Sequence, residues 1–290
     1  MKQETYLTQS GEFPGHQLHG KQRYANLYHY TTFEAFVKIW LSKTLKFSPV
    51  KNVNDVYEAI RRAQVSVAAG PVLAAYADIR SQYKQISLNM DYNSFIKGCM
   101  SPAMWGYYGD RNKGVCIELD YAHLKFPKTA LKGMVSYRRQ LKECVSIPSE
   151  VSTQKDIEAF IRKNNREEFF VKHWAWKGEN EYRVVSKDDD VLSIEGAITA
   201  IYLTSYKSNE CICVEKLVGN QVPVKFLDYD SVDGWIIPKM SATREMRERM
   251  ESASKNPKNI INTIQKQAML FYEQTRDKKD LSLKKATYIL

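Results

Sequence analysis

Apolar and polar positions alternate in two different rhythms along the chain, and the change of rhythm predicts the elements. Leu27 to Thr31 (LYHYT) reads as a strand. It is followed by Phe33, Phe36, Val37, Trp40 and Leu41, spaced i, i+3, i+4, i+7 and i+8 on one helical face, with Thr31 or Thr32 in place to cap it. Leu45 to Ser48 (LKFS) predicts a second short strand. Pro49, Asn52, Asn54 and Asp55 then predict a loop into another helix. Residues 56 to 86 keep helical spacing and are divided into two helices at Gly70 and Pro71.

Phe95 to Ser101, Val115 to Leu119 and Val135 to Tyr137 predict strands, with a turn of helix near Met104 to Tyr108. Gln154 to Lys172 predicts one long amphipathic helix. Further strands are expected at Glu181 to Val185, Ile198 to Leu203, Val222 to Phe226 and Trp235 to Ile237, and a helix near Glu210 to Val218. Helices fall irregularly between strands rather than in βαβ steps, so the expected class is α+β with a mixed, mainly antiparallel sheet.

Beyond Pro238 the pattern turns helical and charged, over Arg244 to Glu251 and Ile260 to Thr275. The expected organisation is a polar leader at 1–22, an α+β core domain at 23–240 and a basic helical tail at 241–290. From Lys239 onward there are 12 Lys and Arg against six acids, so this stretch, which is the tail with Lys239 before it, supplies six of the ten excess positive charges. A cationic segment of this kind points to nucleic acid, whose phosphates release counterions on binding.

Composition narrows the classes further. With 43% hydrophobic and 12% aromatic residues, the chain can build a core. Apolar runs are of strand length, so no membrane span is expected, and the polar start lacks the apolar stretch of a signal peptide. The expected location is cytoplasmic, with the five cysteines as reduced thiols.

Four stretches resemble one bacterial family, the domain of unknown function 2971. They are LYHYTTFEAFVKIW (27 to 40), LKFSPVKNVNDVYE (45 to 58), AMWGYYGDRNKGVCIELD (103 to 120) and KHWAWKGENEYRVVS (172 to 186). The likeness spans about residues 25 to 238. Val56 stands where that family usually has Pro. The opening strand and helix also resemble small ADP-ribosyltransferase folds, including DNA-modifying toxins. That second resemblance implies NAD as substrate, a His on the first strand, an aromatic against nicotinamide and a Glu on a late strand, in a toxin or phage-defence setting.

Several residues carry candidate chemistry. Glu179, Glu181 and Arg183 share one face of a strand if it begins by Glu179, and a carboxylate pair with a guanidinium suits a reaction that builds positive charge on a ribose carbon. His29, with Tyr30 and Thr31 at the same end, is placed to meet ribose or phosphate. Trp105 and Tyr108 precede a polar, glycine-bounded turn from which Arg111 or Lys113 can meet phosphate. The competing readings are a structural ion pair for the carboxylates, a core His, and a Trp anchor beside a surface turn. No metal site is expected in the first reading. A metal-dependent nuclease would use Asp55, Glu58, Glu179 and Glu181, and a third class is a non-catalytic module that binds nucleic acid or recognises an effector.

Overall fold

In the computed structural model, the described residues are 26–59, 63–65, 70–92, 96–142, 144–204, 208–231 and 234–236. The expected leader and basic tail lie outside them. The elements in chain order are β1 (Asn26–Thr31), α1 (Phe33–Ser42), β2 (Thr44–Lys46), β3 (Ser48–Pro49), α2 (Val56–Ala59), β4 (Ala63–Val65), α3 (Gly70–Ser81) and β5 (Lys84–Met90). They continue with α4 (Pro102–Tyr107), β6 (Val115–Asp120), β7 (Leu131–Met134), β8 (Ser136–Arg138), β9 (Val145–Ile147), α5 (Gln154–Lys163), α6 (Asn165–Phe169), β10 (Val171–His173) and β11 (Glu181–Ser186). The last are β12 (Val191–Ser193), β13 (Ile198–Thr204), α7 (Ser208–Val218), β14 (Val224–Asp230) and β15 (Gly234–Ile236). The class is α+β, with strand pairing mainly antiparallel, as the sequence implies. Among the described residues no helix is long and apolar enough to cross a membrane.

The structure corrects three parts of the sequence reading. Residues 56 to 86 are not simply two helices, because β4 intervenes and β5 begins at Lys84. Within the expected strand at Phe95 to Ser101, Gly98–Met100 is a tight helical turn, started where the Asp91 carboxylate accepts from the Gly98 N–H at 2.9 Å. The expected long helix over Gln154 to Lys172 breaks at Asn164 into α5 and α6 and ends in strand β10.

The described chain divides into two compact units. The first holds Lys46–Leu88 and Phe126–Leu192. Its strands run in the order β5-β11-β7, with β3 on β5, while β8 pairs with β10 and β4 with β9 in parallel. Ile157 and Ile161 of α5, Tyr76 and Ile79 of α3, and Ile147, Phe169 and Val185 form its core.

The second unit holds the described residues of 24–45, Asn89–Lys125, and those of 193–290. Its strand order is β15-β14-β13-β6-β1, all antiparallel except β13 with β14. Tyr28 and Tyr30 of β1, Cys116 of β6 and Tyr202 of β13 close over Trp105 of α4 and Trp235 of β15. Gly114 sits where a Cβ would come within 2.1 Å of the Thr31 carbonyl oxygen. Gly114→Ala should therefore force the backbone of β1 and β6 apart and lower stability by about 1–3 kcal/mol, read as a drop in melting temperature. An unchanged melting temperature would show that the strands yield freely.

A buried carboxylate cluster and its surroundings

The carboxylates that the sequence singled out lie in the first unit, and they arrive there by a different route from the one expected. β11 begins at Glu181, not Glu179. Glu179 closes the preceding tight turn, Trp174–Glu179, and Asn180 turns the chain in the left-handed conformation at φ 43°. The shared strand face therefore does not bring Glu179 to Glu181. Lys172 does, because its ammonium lies 2.5 Å from Glu179 and 2.9 Å from Glu181.

Strand pairing puts Lys172 there. β10 and β8 run parallel with Lys172 opposite Tyr137, and both reach Glu181: Lys172 at the carboxylate, and the Tyr137 hydroxyl by accepting from the Glu181 N–H at 2.9 Å. Arg183, two residues on in β11, grips Glu181 with both arms, Nε to Oε1 at 2.7 Å and Nη2 to Oε2 at 2.8 Å. Its Nη1 reaches Glu58 at 2.5 Å and also donates to the Phe169 carbonyl. Glu58 comes from α2, which is only four residues long and too short to hold itself in place. Arg80 of α3 fixes it by donating to the Glu58 carbonyl at 3.0 Å. Arg80 is itself ion-paired with Glu168, which also accepts from the Tyr76 hydroxyl.

Every charged side chain in this group is buried; Arg183 is 1% exposed and Glu181 3%. Three glutamates, Glu58, Glu179 and Glu181, share two cations, Lys172 and Arg183. Burial alone would raise Glu181, but Arg183 and Lys172 outweigh it and hold this carboxyl well below the usual range. For Glu58 burial wins over the same two cations, and its carboxyl lies above its ordinary value. Burial lifts Asp55 in the same way. Burial would also lower Lys172, yet Glu181 and Glu58 more than compensate and keep it charged.

The two kinds of shift have opposite consequences in acid. Glu181, depressed in the fold, contributes stability above its unfolded value of about 4.3 and loses it as pH falls through the folded value. Glu58 and Asp55, raised in the fold, contribute stability that is complete below their unfolded values and lost as pH rises. Lowering the pH from about 6 toward 3 should therefore reduce the melting temperature through Glu181, and Glu181→Gln should flatten that fall. An equally steep fall in the variant would place the acid-sensitive group elsewhere.

The other residues selected from the sequence lie in the second unit. Tyr30 and Trp105 are core residues: the Tyr30 hydroxyl donates to the Gly98 carbonyl, the Trp105 indole N–H donates to the Cys99 carbonyl at 2.7 Å, and the rings meet edge-on at 5.1 Å. Trp105 is fully buried, so its face is committed to protein. Thr31 is buried at the end of β1, and His29 is half-buried on the strand face opposite Tyr28 and Tyr30, level with Ile117. Tyr108 is half-buried against the same aromatic cluster. Arg111 is exposed in a turn where Asp110, Arg111 and Asn112 all adopt positive φ (47°, 54° and 68°). This turn is held by the Asn112 N–H to the Trp105 carbonyl at 3.1 Å and by Thr204 on the Asn112 carbonyl.

The structure thus brings Glu179, Glu181 and Arg183 together and adds Glu58, Lys172 and Arg80 to them. His29, Tyr30, Thr31, Trp105, Tyr108 and Arg111 belong to the other unit. Among the described residues no group of three or more His, Cys, Asp or Glu is arranged to hold a metal ion. Lys172 supplies the cation that Glu58, Glu179 and Glu181 surround.

No curated protein and no solved structure matches the chain. A family model does match, over residues 104–184, and its description is "Protein of unknown function (DUF2971)". The matched stretch runs from α4 through most of β11, so it includes Trp105, Lys172, Glu179, Glu181 and Arg183. The likeness read from the sequence motifs is supported over residues 104–184, which take in nearly all of the third motif and most of the fourth; the first two motifs lie outside the match.

Proposed function

We propose that this chain is an enzyme that takes NAD as substrate and transfers its ADP-ribose to a macromolecular acceptor, with nucleic acid as the acceptor class. One observation carries the reading: charged side chains from α2, β10, β11 and the turn before it converge in one buried cluster, in which Glu181 is held ionised while Glu58 is pushed toward its neutral form. Carboxylates whose environments drive their proton affinities apart are the usual mark of acid–base chemistry.

The chemistry rests on Glu181 and Glu179. As the bond between ribose C1′ and the nicotinamide nitrogen breaks, nicotinamide leaves with the bonding electrons and positive charge builds on C1′. An ionised Glu181, fixed by Arg183, offsets that charge. Glu179 takes the proton of the acceptor as the new bond to C1′ forms. The basic tail, beyond the described residues, is proposed as a further nucleic-acid contact.

A second reading has its own observation. Both oxygens of Glu181 accept from Arg183, and a carboxylate so engaged also suits a purely structural ion pair. The two readings part in one assay. Purified full chain is incubated with NAD and bacterial nucleic acid, and mass spectrometry looks for free nicotinamide and an ADP-ribose adduct. Both products are expected; neither appearing would leave the structural reading standing.

A further inference from the structure

The KHWAWK segment serves the carboxylate cluster through Lys172, and it also places two indoles at the surface. Trp174 and Trp176 lie in the turn Trp174–Glu179, each half-exposed, between exposed His173 and Lys177. Burying an indole is among the largest gains available to a small core, so two left half-exposed in one turn call for an explanation. Their surroundings supply one. The Lys177 ammonium is 4.3 Å from the centre of the Trp174 ring, and the Arg139 guanidinium, also on an exposed side chain, is 5.6 Å from it. Lys172 lies 5.6 Å from the centre of the Trp176 ring.

We infer that this turn is a binding site for single-stranded nucleic acid. A flat ring beside two exposed cations is the combination such strands need: the ring stacks on a base, and the cations meet the flanking phosphates. An acidic peptide would use the cations and leave the rings idle, and the rigid groove of a duplex would not offer a free base to stack. The site also adjoins the chemistry. The turn ends at Glu179, and Trp176 lies over the ammonium that Glu179 and Glu181 hold. The inference deepens the proposed function by naming the acceptor as a single strand. Its test is binding without NAD, so the two can fail separately.

The test is fluorescence anisotropy of a labelled short oligothymidylate, and of its RNA counterpart, titrated with the full chain at two salt concentrations. Binding should weaken with salt, as phosphate contacts require. Trp174→Ala should weaken it about tenfold, within the range for loss of one stacked base, while Trp174→Phe keeps most of the affinity. Arg139→Gln alters an exposed side chain and should also weaken binding, which keeps the test decisive if Trp174→Ala folds poorly. The basic tail is common to all these chains and cannot create a difference between them. Equal affinity for the parent, Trp174→Ala and Arg139→Gln would overturn the site. So would equally tight binding of an acidic peptide that is equally sensitive to Trp174→Ala.

Discussion

Arg183→Ala should cost about 3–5 kcal/mol of stability, because it leaves Glu181 and Glu58 buried with one cation fewer between them. Arg183 is 1% exposed and makes three kinds of contact: a two-armed pair with Glu181, a bond to Glu58 and a bond to the Phe169 carbonyl. Removing it strands two carboxylates in a region where burial already lifts Glu58. A loss of this size is a large share of the roughly 5–15 kcal/mol that holds a typical domain together. Urea unfolding followed by far-ultraviolet dichroism measures it. A loss below about 1 kcal/mol would mean that water reaches the cluster and that the pairs behave as surface pairs. Arg183→Lys should recover only part of the loss, since an ammonium cannot match both oxygens of Glu181 in one plane.

How much of this was legible in the sequence depended on whether an element showed one face to the core. α1 was, because Phe33, Phe36, Val37 and Trp40 are its buried face and Thr32 caps it by accepting from the Ala35 N–H. Val56 stands in the second motif, at the position where the sequence resemblance leads one to expect Pro. It proves to be the first residue of α2, 70% exposed, a position where Pro is favoured but not needed. β5 is hidden in the sequence by the helical spacing that runs up to residue 86, although Ile86, Leu88 and Met90 alternate with Ser87 and Asn89 along it. β10 was absorbed into a long helix because Val171 and Lys172 continue the spacing of α5. Only its pairing with β8, thirty-odd residues earlier, makes it a strand.

That miss hid Lys172, the cation on which the cluster turns. The available signal was the position of a lysine between Val171 and the Trp-rich turn, in the same motif as Glu179 and Glu181. Glu58 was noticed only as a metal ligand, and its pairing with Arg183, 125 residues away, has no local trace. Trp105 misled in the opposite direction. Its aromatic neighbours and the glycine-bounded turn suggested a ligand, whereas Gly109 and Gly114 are glycines because no Cβ fits beside Trp105 and the Thr31 carbonyl.

The second large effect concerns Glu181 and Glu179. Glu181→Gln keeps the size of the side chain but removes the negative charge opposite the developing cation, and should slow nicotinamide release about a hundredfold, on the order of 3 kcal/mol of transition-state stabilisation. Glu179→Gln should lose transfer to the acceptor but retain some NAD hydrolysis, because water needs less help to attack than a held acceptor does. Glu179 is bound by Lys172 rather than gripped by a guanidinium, so its replacement should disturb the fold less than that of Glu181.

Nicotinamide release from NAD, measured for the parent chain and for Glu181→Gln in preparations whose melting is recorded alongside, tests the account most directly. Turnover by the parent is expected, with a loss of about a hundredfold in the variant while it remains folded at the assay temperature. Full turnover in the variant, or no turnover in the parent, would contradict that expectation and leave the cluster as a buried ion-pair frame.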